Sequence, residues 1–177
     1  MPSQKEIISI NSILEELVLI SGLSGYENNV RSYLIKKLKT KSLKTTTDIL
    51  GNLICTLKGD ENLPSVIVFA HMDQLGFIVK KIENNGFIRV EKLGGIPEKA
   101  LASQDIVIVN NKNEYIRGII GNKSHHATLQ DEKYTVTPIK NVYIDAGFKN
   151  KRDVLKSGIN IGSPVTYAPY YKALSKN

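Results

Sequence analysis

The chain has 177 residues, 41% of them hydrophobic, and 24 Lys and Arg against 17 Asp and Glu give it a net charge of +7. That is enough for one domain, or a compact domain with a smaller insertion, and too apolar for a disordered chain. The single cysteine, Cys55, excludes an internal disulfide framework and fits a reducing compartment, while no apolar stretch reaches the ~20 residues that a membrane helix needs.

The opening Met1-Pro2-Ser3-Gln4-Lys5-Glu6 lacks the basic-then-apolar order of a secretory signal, so a cytoplasmic location and no membrane partner are expected. Ile10, Ile13, Leu14, Leu17 and Ile20 recur at helical spacing and predict an amphipathic helix over about 8–20. Ser21-Gly22-Leu23-Ser24-Gly25 breaks it, and Ser24 with Glu27 has the spacing of a capping box for a second helix running to about Leu38. That helix ends among Lys36, Lys37, Lys39, Lys41 and Lys44, where cations complement the helix dipole. A second basic group, Lys149, Lys151, Arg152 and Lys156, lies far along the chain. Neither group is interleaved with aromatic residues, so both read as solvated faces and no nucleic-acid partner is expected.

Asp48-Ile49-Leu50-Gly51-Asn52 is turn-like between two short strands, and Cys55 in the apolar run after it reads as a small buried hydrophobe. Ser65-Val66-Ile67-Val68-Phe69-Ala70 is continuously apolar and ends at His71. A run apolar on both faces predicts a central strand in a sheet covered by helices. From Gly76 to about Val142 the helical period vanishes. Short β-rich runs, Gly76–Ile82, Phe87–Val90, Asp105–Val109 and Tyr115–Ile120, are separated by Asn84-Asn85-Gly86 and Asn110-Asn111-Lys112-Asn113, which are hairpin signals. This stretch reads as a small antiparallel barrel or sandwich, with one helical turn at Pro97–Ala102. After it come a strand at Asn141–Asp145, a short helix at Lys151–Ser157 ended by Gly158, and a strand at Ser163–Tyr167. The expected fold class is α/β: an α/β/α domain from residues 1–75 and 143–177, interrupted by a β-rich insertion over 76–142.

Chemistry concentrates at the strand ends, where open α/β sheets bind ligands. His71 would present an imidazole there, and Asp73, two residues on, could accept one ring N–H and leave the other nitrogen free for a metal. H-x-D spacing also suits a plain structural hydrogen bond. Asp145 ends the apolar run Val142-Tyr143-Ile144 and is either a second metal-site carboxylate or a turn-forming Asp before Ala146-Gly147. His125 and His126 are adjacent, a spacing that sends the two rings apart and suits a polar loop. The sequence has no P-loop, no G-x-G-x-x-G and no nucleophile elbow.

The ordered segments Ser21-Gly22-Leu23-Ser24-Gly25-Tyr26-Glu27, Asp48-Ile49-Leu50-Gly51-Asn52-Leu53 and Ala70-His71-Met72-Asp73-Gln74-Leu75-Gly76-Phe77 resemble the tetrahedral aminopeptidases. Gly86-Phe87-Ile88-Arg89-Val90, Leu93-Gly94-Gly95, Gly118-Ile119-Ile120-Gly121 and Tyr143-Ile144-Asp145-Ala146-Gly147 continue the likeness over nearly the whole chain. That family includes glutamyl and deblocking aminopeptidases and some proteins labelled endoglucanases. The resemblance implies a three-layer α/β/α catalytic domain with an inserted, β-rich, PDZ-like domain that serves oligomer assembly. It also implies peptide substrates and two divalent ions, zinc or cobalt. His71 matches the first terminal metal ligand, Asp145 the carboxylate bridging both ions, and Asp73 the residue orienting the imidazole. Bound ions of this kind polarise the scissile carbonyl and activate water, and a glutamate base moves the proton.

Beyond Asp145 the sequence departs from this pattern. No Glu-Glu pair comes after it and no His after His126, so the catalytic Glu and the remaining ligands have no counterpart here. Gln74 also replaces the Glu usual after the H-x-D motif. Two protein ligands do not close two tetrahedral sites, and the expectation is an N-terminal half, inactive alone, completed by a complementary C-terminal half. A non-catalytic oligomerisation module and a truncated gene product are the alternatives. Glycoside hydrolysis finds no positioned acid pair.

Overall fold

The computed structural model describes residues 4–174; Met1, Pro2 and Ser3, on which the expectation of no secretory signal partly draws, lie outside them. The chain divides into two compact units, the first running to Asp73 and the second beginning at Gln74.

In the first unit, α1 spans Gln4–Val18 and α2 spans Asn28–Thr40. Glu16 of α1 accepts a hydrogen bond from the Tyr33 hydroxyl of α2 at 2.8 Å and pairs with Lys37. The apolar stripe anticipated on α1 is there, but Ile10, Ile13 and Leu14 remain exposed. Strands β1, Thr45–Thr47, and β2, Leu53–Cys55, pair antiparallel. Asp48 shapes the turn between them by accepting from the Leu50 and Asn52 amides at 3.0 and 2.9 Å. Cys55 is only partly buried.

Two expectations fail here. The α2 N-cap is Glu27, and no side chain caps the helix. Ser24 sits a turn too early, its hydroxyl turned elsewhere, while Glu27 accepts from the Gly25 amide at 2.7 Å. The run 65–70 forms no ladder. Val66, Ile67, Val68 and Phe69 are 86, 83, 93 and 91% exposed. A strand is stable as one member of a pair, because each extended residue has an N–H and a C=O to satisfy, and among the described residues none pairs with this run.

The second unit is a closed six-stranded antiparallel barrel. Its strands are β3 (Gly76–Ile82), β4 (Ile88–Leu93), β5 (Asp105–Val109), β6 (Tyr115–Ile120), β7 (Ile144–Asp145) and β8 (Pro164–Tyr167), in the order β3-β4-β7-β6-β5-β8. β8 closes it, pairing with β3 (Phe77↔Val165) and with β5 (Val107↔Thr166). The β3–β6 runs and the helical turn at Glu98–Ala100 fall where the sequence puts them. The β7 and β8 runs, expected in the α/β domain, have their partners in the barrel instead. The six-residue helix α3, Lys151–Lys156, packs Val154 into the same core, its first turn capped by Asn150 Oδ1 accepting from the Asp153 amide at 3.0 Å.

The barrel interior is apolar: Phe77, Val79, Ile82, Ile88, Ile106, Ile108, Ile120, Ile144 and Val165 are all buried. A bulge in β3 makes this possible. Val79 pairs with Val90 and Lys81 with Arg89, leaving Lys80 as the extra residue. The inward parity of Phe77 and Val79 therefore switches so that Ile82 also faces the core. Outside, Lys80 and Lys81 pair with Glu91 and Glu83. At the β3–β4 turn Gly86 has φ +90°, and a Cβ there would lie 2.4 Å from the Phe148 carbonyl oxygen, so only glycine fits.

Candidate active site

His71 and Asp73 come after the exposed apolar run in the first unit. The ring Nδ1 of His71 lies 3.0 Å from Asp73 Oδ1 and 3.0 Å from the Asp73 carbonyl oxygen. Both neighbours can only accept, so Nδ1 carries the proton, and the neutral ring then has its lone pair on Nε2. The His71 side chain is 84% exposed, and among the described residues its contacts are those with Asp73. An exposed, unprotonated Nε2 behind an Nδ1–H···carboxylate contact is the donor arrangement that suits a zinc-type ion. The residues fit the metal implied by the resemblance.

Asp73 divides its two oxygens. Oδ1 faces His71, and Oδ2 accepts a hydrogen bond from the Ser24 hydroxyl. The Ser24 hydroxyl, then the His71 ring, hold the Asp73 carboxyl below the usual aspartate range against the opposing effect of desolvation. Ser24 escaped notice as a site residue because its partner is 49 residues away and its spacing to Glu27 imitates a helix cap.

Asp145 belongs to the second unit, at the end of β7, where Ile119 is its partner on β6. Its Oδ1 accepts from the Gly147 amide at 2.8 Å, the local turn bond that a plain reading of Asp145-Ala146-Gly147 suggests. Gly118 lets β6 approach β7 here: a Cβ on it would meet the Asp145 carbonyl oxygen at 3.0 Å and Ile144 Cγ2 at 2.9 Å.

The adjacent histidines and two barrel glutamates are placed otherwise. His125 and His126 are exposed in a helical turn at His125–Ala127, their ring centroids 5.8 Å apart. Glu83 is paired with Lys81 and Arg89, and Glu91 with Lys80. Each is held below the usual glutamate range, Glu83 first by Lys81 and Glu91 by Lys80. Among the described residues no group of three or more His, Cys, Asp or Glu side chains gathers to hold an ion, and no helix is long and apolar enough to cross a membrane. A cleft of about 850 Å³ in the second unit is lined by residues such as Lys99, Lys123, His125, Glu132 and Tyr134 and not by Asp145.

Comparison with known proteins agrees with the motifs. A family profile described as M42 glutamyl aminopeptidase matches residues 51–177. SgcX of Escherichia coli is 33% identical over 89% of this chain and 42% of its own length. The lysyl aminopeptidase of Pyrococcus furiosus is 28% identical over 93% of this chain and 47% of its own. Among solved structures, the aminopeptidase APDkam598 of Desulfurococcus kamchatkensis superposes with a TM-score of 0.81 at 29% identity, covering 89% of this chain and 42% of that one. The TET1 peptidase of Pyrococcus horikoshii does so with a TM-score of 0.81 at 28% identity, covering 91% and 47%.

The chain belongs to the M42 glutamyl aminopeptidase family, and it spans somewhat under half the length of these relatives.

Proposed function

We propose that this chain is part of an aminopeptidase that hydrolyses N-terminal residues from peptides with two divalent ions, zinc or cobalt. His71 serves as a terminal ligand through Nε2, Asp145 as the bridging carboxylate, and Asp73 holds the His71 ring. The observation that carries this reading is the Nδ1–H contact of His71 with Asp73 in a member of this family. It leaves the ring one donor atom, exposed and in the right tautomer. When bound, the ions would supply Lewis acidity to the scissile carbonyl and to water. The chain's own part is to hold the imidazole and to offer the Asp145 carboxylate, whose Oδ2 is not needed for the Gly147 turn bond.

The rest of the architecture fits the same reading. The helices α1 and α2 and the run 65–70 belong to a three-layer α/β/α domain, and the barrel is a PDZ-like insertion used for assembly. The horikoshii TET1 peptidase assembles into a tetrahedron or a large octahedral shell, which supports a homo-oligomer here too. These 177 residues contain no Glu-Glu pair after Asp145 and no His after His126. The chain spans somewhat under half the length of its relatives, and in this reading a C-terminal half completes the site, while the chain alone binds metal weakly and turns over no substrate. Its location is cytoplasmic.

The test is release of N-terminal residues from peptides by the folded 177-residue chain with zinc and with cobalt, alone and with a C-terminal half added. No turnover alone and recovery with the second half are expected. Turnover by the chain alone, abolished by His71→Ala, overturns the divided site. A second reading, a non-catalytic assembly module, draws on the barrel satisfying its own core and ladder; stable oligomers that form without metal and gain no activity from a C-terminal half would favour it.

A further inference from the structure

We infer that Ser24 is a positioning residue of the site: its hydroxyl fixes the Asp73 carboxylate, which in turn holds the His71 ring with Nε2 presented to the metal. The inference rests on the reading of His71 as a metal ligand.

The geometry divides the labour. A carboxylate on a short side chain is a broad, roughly two-fold rotor about its last torsion. With Oδ2 engaged by the Ser24 hydroxyl, that rotation stops and Oδ1 is left facing His71 Nδ1. Asp73 is 37% exposed, so without the serine, water would compete for Oδ2 and release the rotor. The exposed imidazole has no other partner among the described residues, so whatever orients Asp73 also orients His71.

Ser24 is itself held firmly. Its neighbours Leu23 and Ser21 are buried. The Tyr26 amide donates to the Leu23 carbonyl at 2.7 Å and closes a tight turn around the serine, with Gly25 at φ +84°. Gly22 brings this segment against α2 and the backbone at Met72, since a Cβ on it would lie 2.6 Å from Val30 Cγ2 and 3.5 Å from the Met72 carbonyl oxygen. Helix capping does not account for the serine, because α2 begins at Asn28 with Glu27 as its N-cap. The hydroxyl is spent on Asp73, next to the residue that faces the metal.

The experiment uses the 177-residue chain without metal and then with zinc alone. Nitrogen-15 chemical shifts of the His71 ring are read at alkaline pH. The unaltered chain gives the Nδ1–H tautomer, and Ser24→Ala shifts it toward the mixture of a solvated histidine. Calorimetric titration shows zinc affinity falling roughly tenfold, the lower end of losses at residues behind a metal ligand, and Ser24→Thr restores both readings. An unchanged tautomer and unchanged affinity in Ser24→Ala overturn the role of Ser24. A chain in which His71→Ala binds zinc as tightly as before overturns the ligand reading instead, while the tautomer still decides the role of Ser24. Should circular dichroism show Ser24→Ala unfolded, Ser24→Cys, with a weak thiol donor in nearly the same volume, is read the same way and the same losses are expected.

Discussion

Val66-Ile67-Val68-Phe69 in the first unit and Ile106-Val107-Ile108-Val109 in the second are almost the same polymer, yet one is solvent-exposed and the other forms a wall of the barrel core. The barrel run has β6 on one side and β8 on the other. The other run has no strand beside it among the described residues. β-Branched composition makes a segment fit for a sheet; a neighbour with matching hydrogen bonds makes it a strand. The same contrast separates the two units: the barrel completes its ladder and core from its own residues, whereas the first unit leaves the α1 stripe and the apolar run uncovered.

The contrast is sharpened most by core truncation. Phe77 is fully buried, edge-on to Tyr167 with centroids 6.1 Å apart, so Phe77→Ala should cost the barrel about 3–5 kcal/mol, while Val68→Ala should stay within about 0.5 kcal/mol, as exposed sites do. Urea unfolding tracked on barrel resonances measures both, and equal costs would break the comparison. A smaller loss is expected at the β3–β4 turn: Gly86→Ala combines a positive φ with the approach to the Phe148 carbonyl and should destabilise by about 1–3 kcal/mol in the same experiment. The smallest effect belongs to the first unit. Lys37, and after it the Tyr33 hydroxyl, holds Glu16 below its ordinary value of 4.5. A depressed carboxylate contributes its full stabilisation above the unfolded value and loses it as pH falls through the folded one. Protection of the α1 amides, taken relative to intrinsic exchange at each pH, should therefore fall below pH ~4.5, and Glu16→Gln should remove that pH dependence; a pH-independent α1 in the unaltered chain would remove the Glu16 contact from consideration.

Local signals made much of this molecule legible. β3, β5 and β6 were bracketed by Asn-rich and Gly-containing turns, and Asp48–Asn52 declared its own turn through side-chain chemistry that acts two to four residues away. The His71–Asp73 contact was visible for the same reason, being two residues in span. Long-range partnerships were not. Nothing local distinguishes a β7 or β8 run bound for the barrel from one bound for an α/β sheet, because the order β3-β4-β7-β6-β5-β8 is set by pairings across the whole unit. The bulge at Lys80 shows only in the register between β3 and β4. Ser24 is the sharpest case: its distance from Glu27 told a coherent local story, and Asp73 overruled it.

The closure of the barrel by β8 also sets a schedule for its synthesis. Phe77 and Val165 face each other across the seam, but a ribosome making about 5–20 residues per second needs on the order of ten seconds to go from one to the other. Through that interval β3, and β5 once it has been made, lack their β8 neighbour, so the nascent chain comes to carry two open sheet edges that the finished barrel never displays. The barrel's last strand is thus also the one that ends its exposure to other nascent chains.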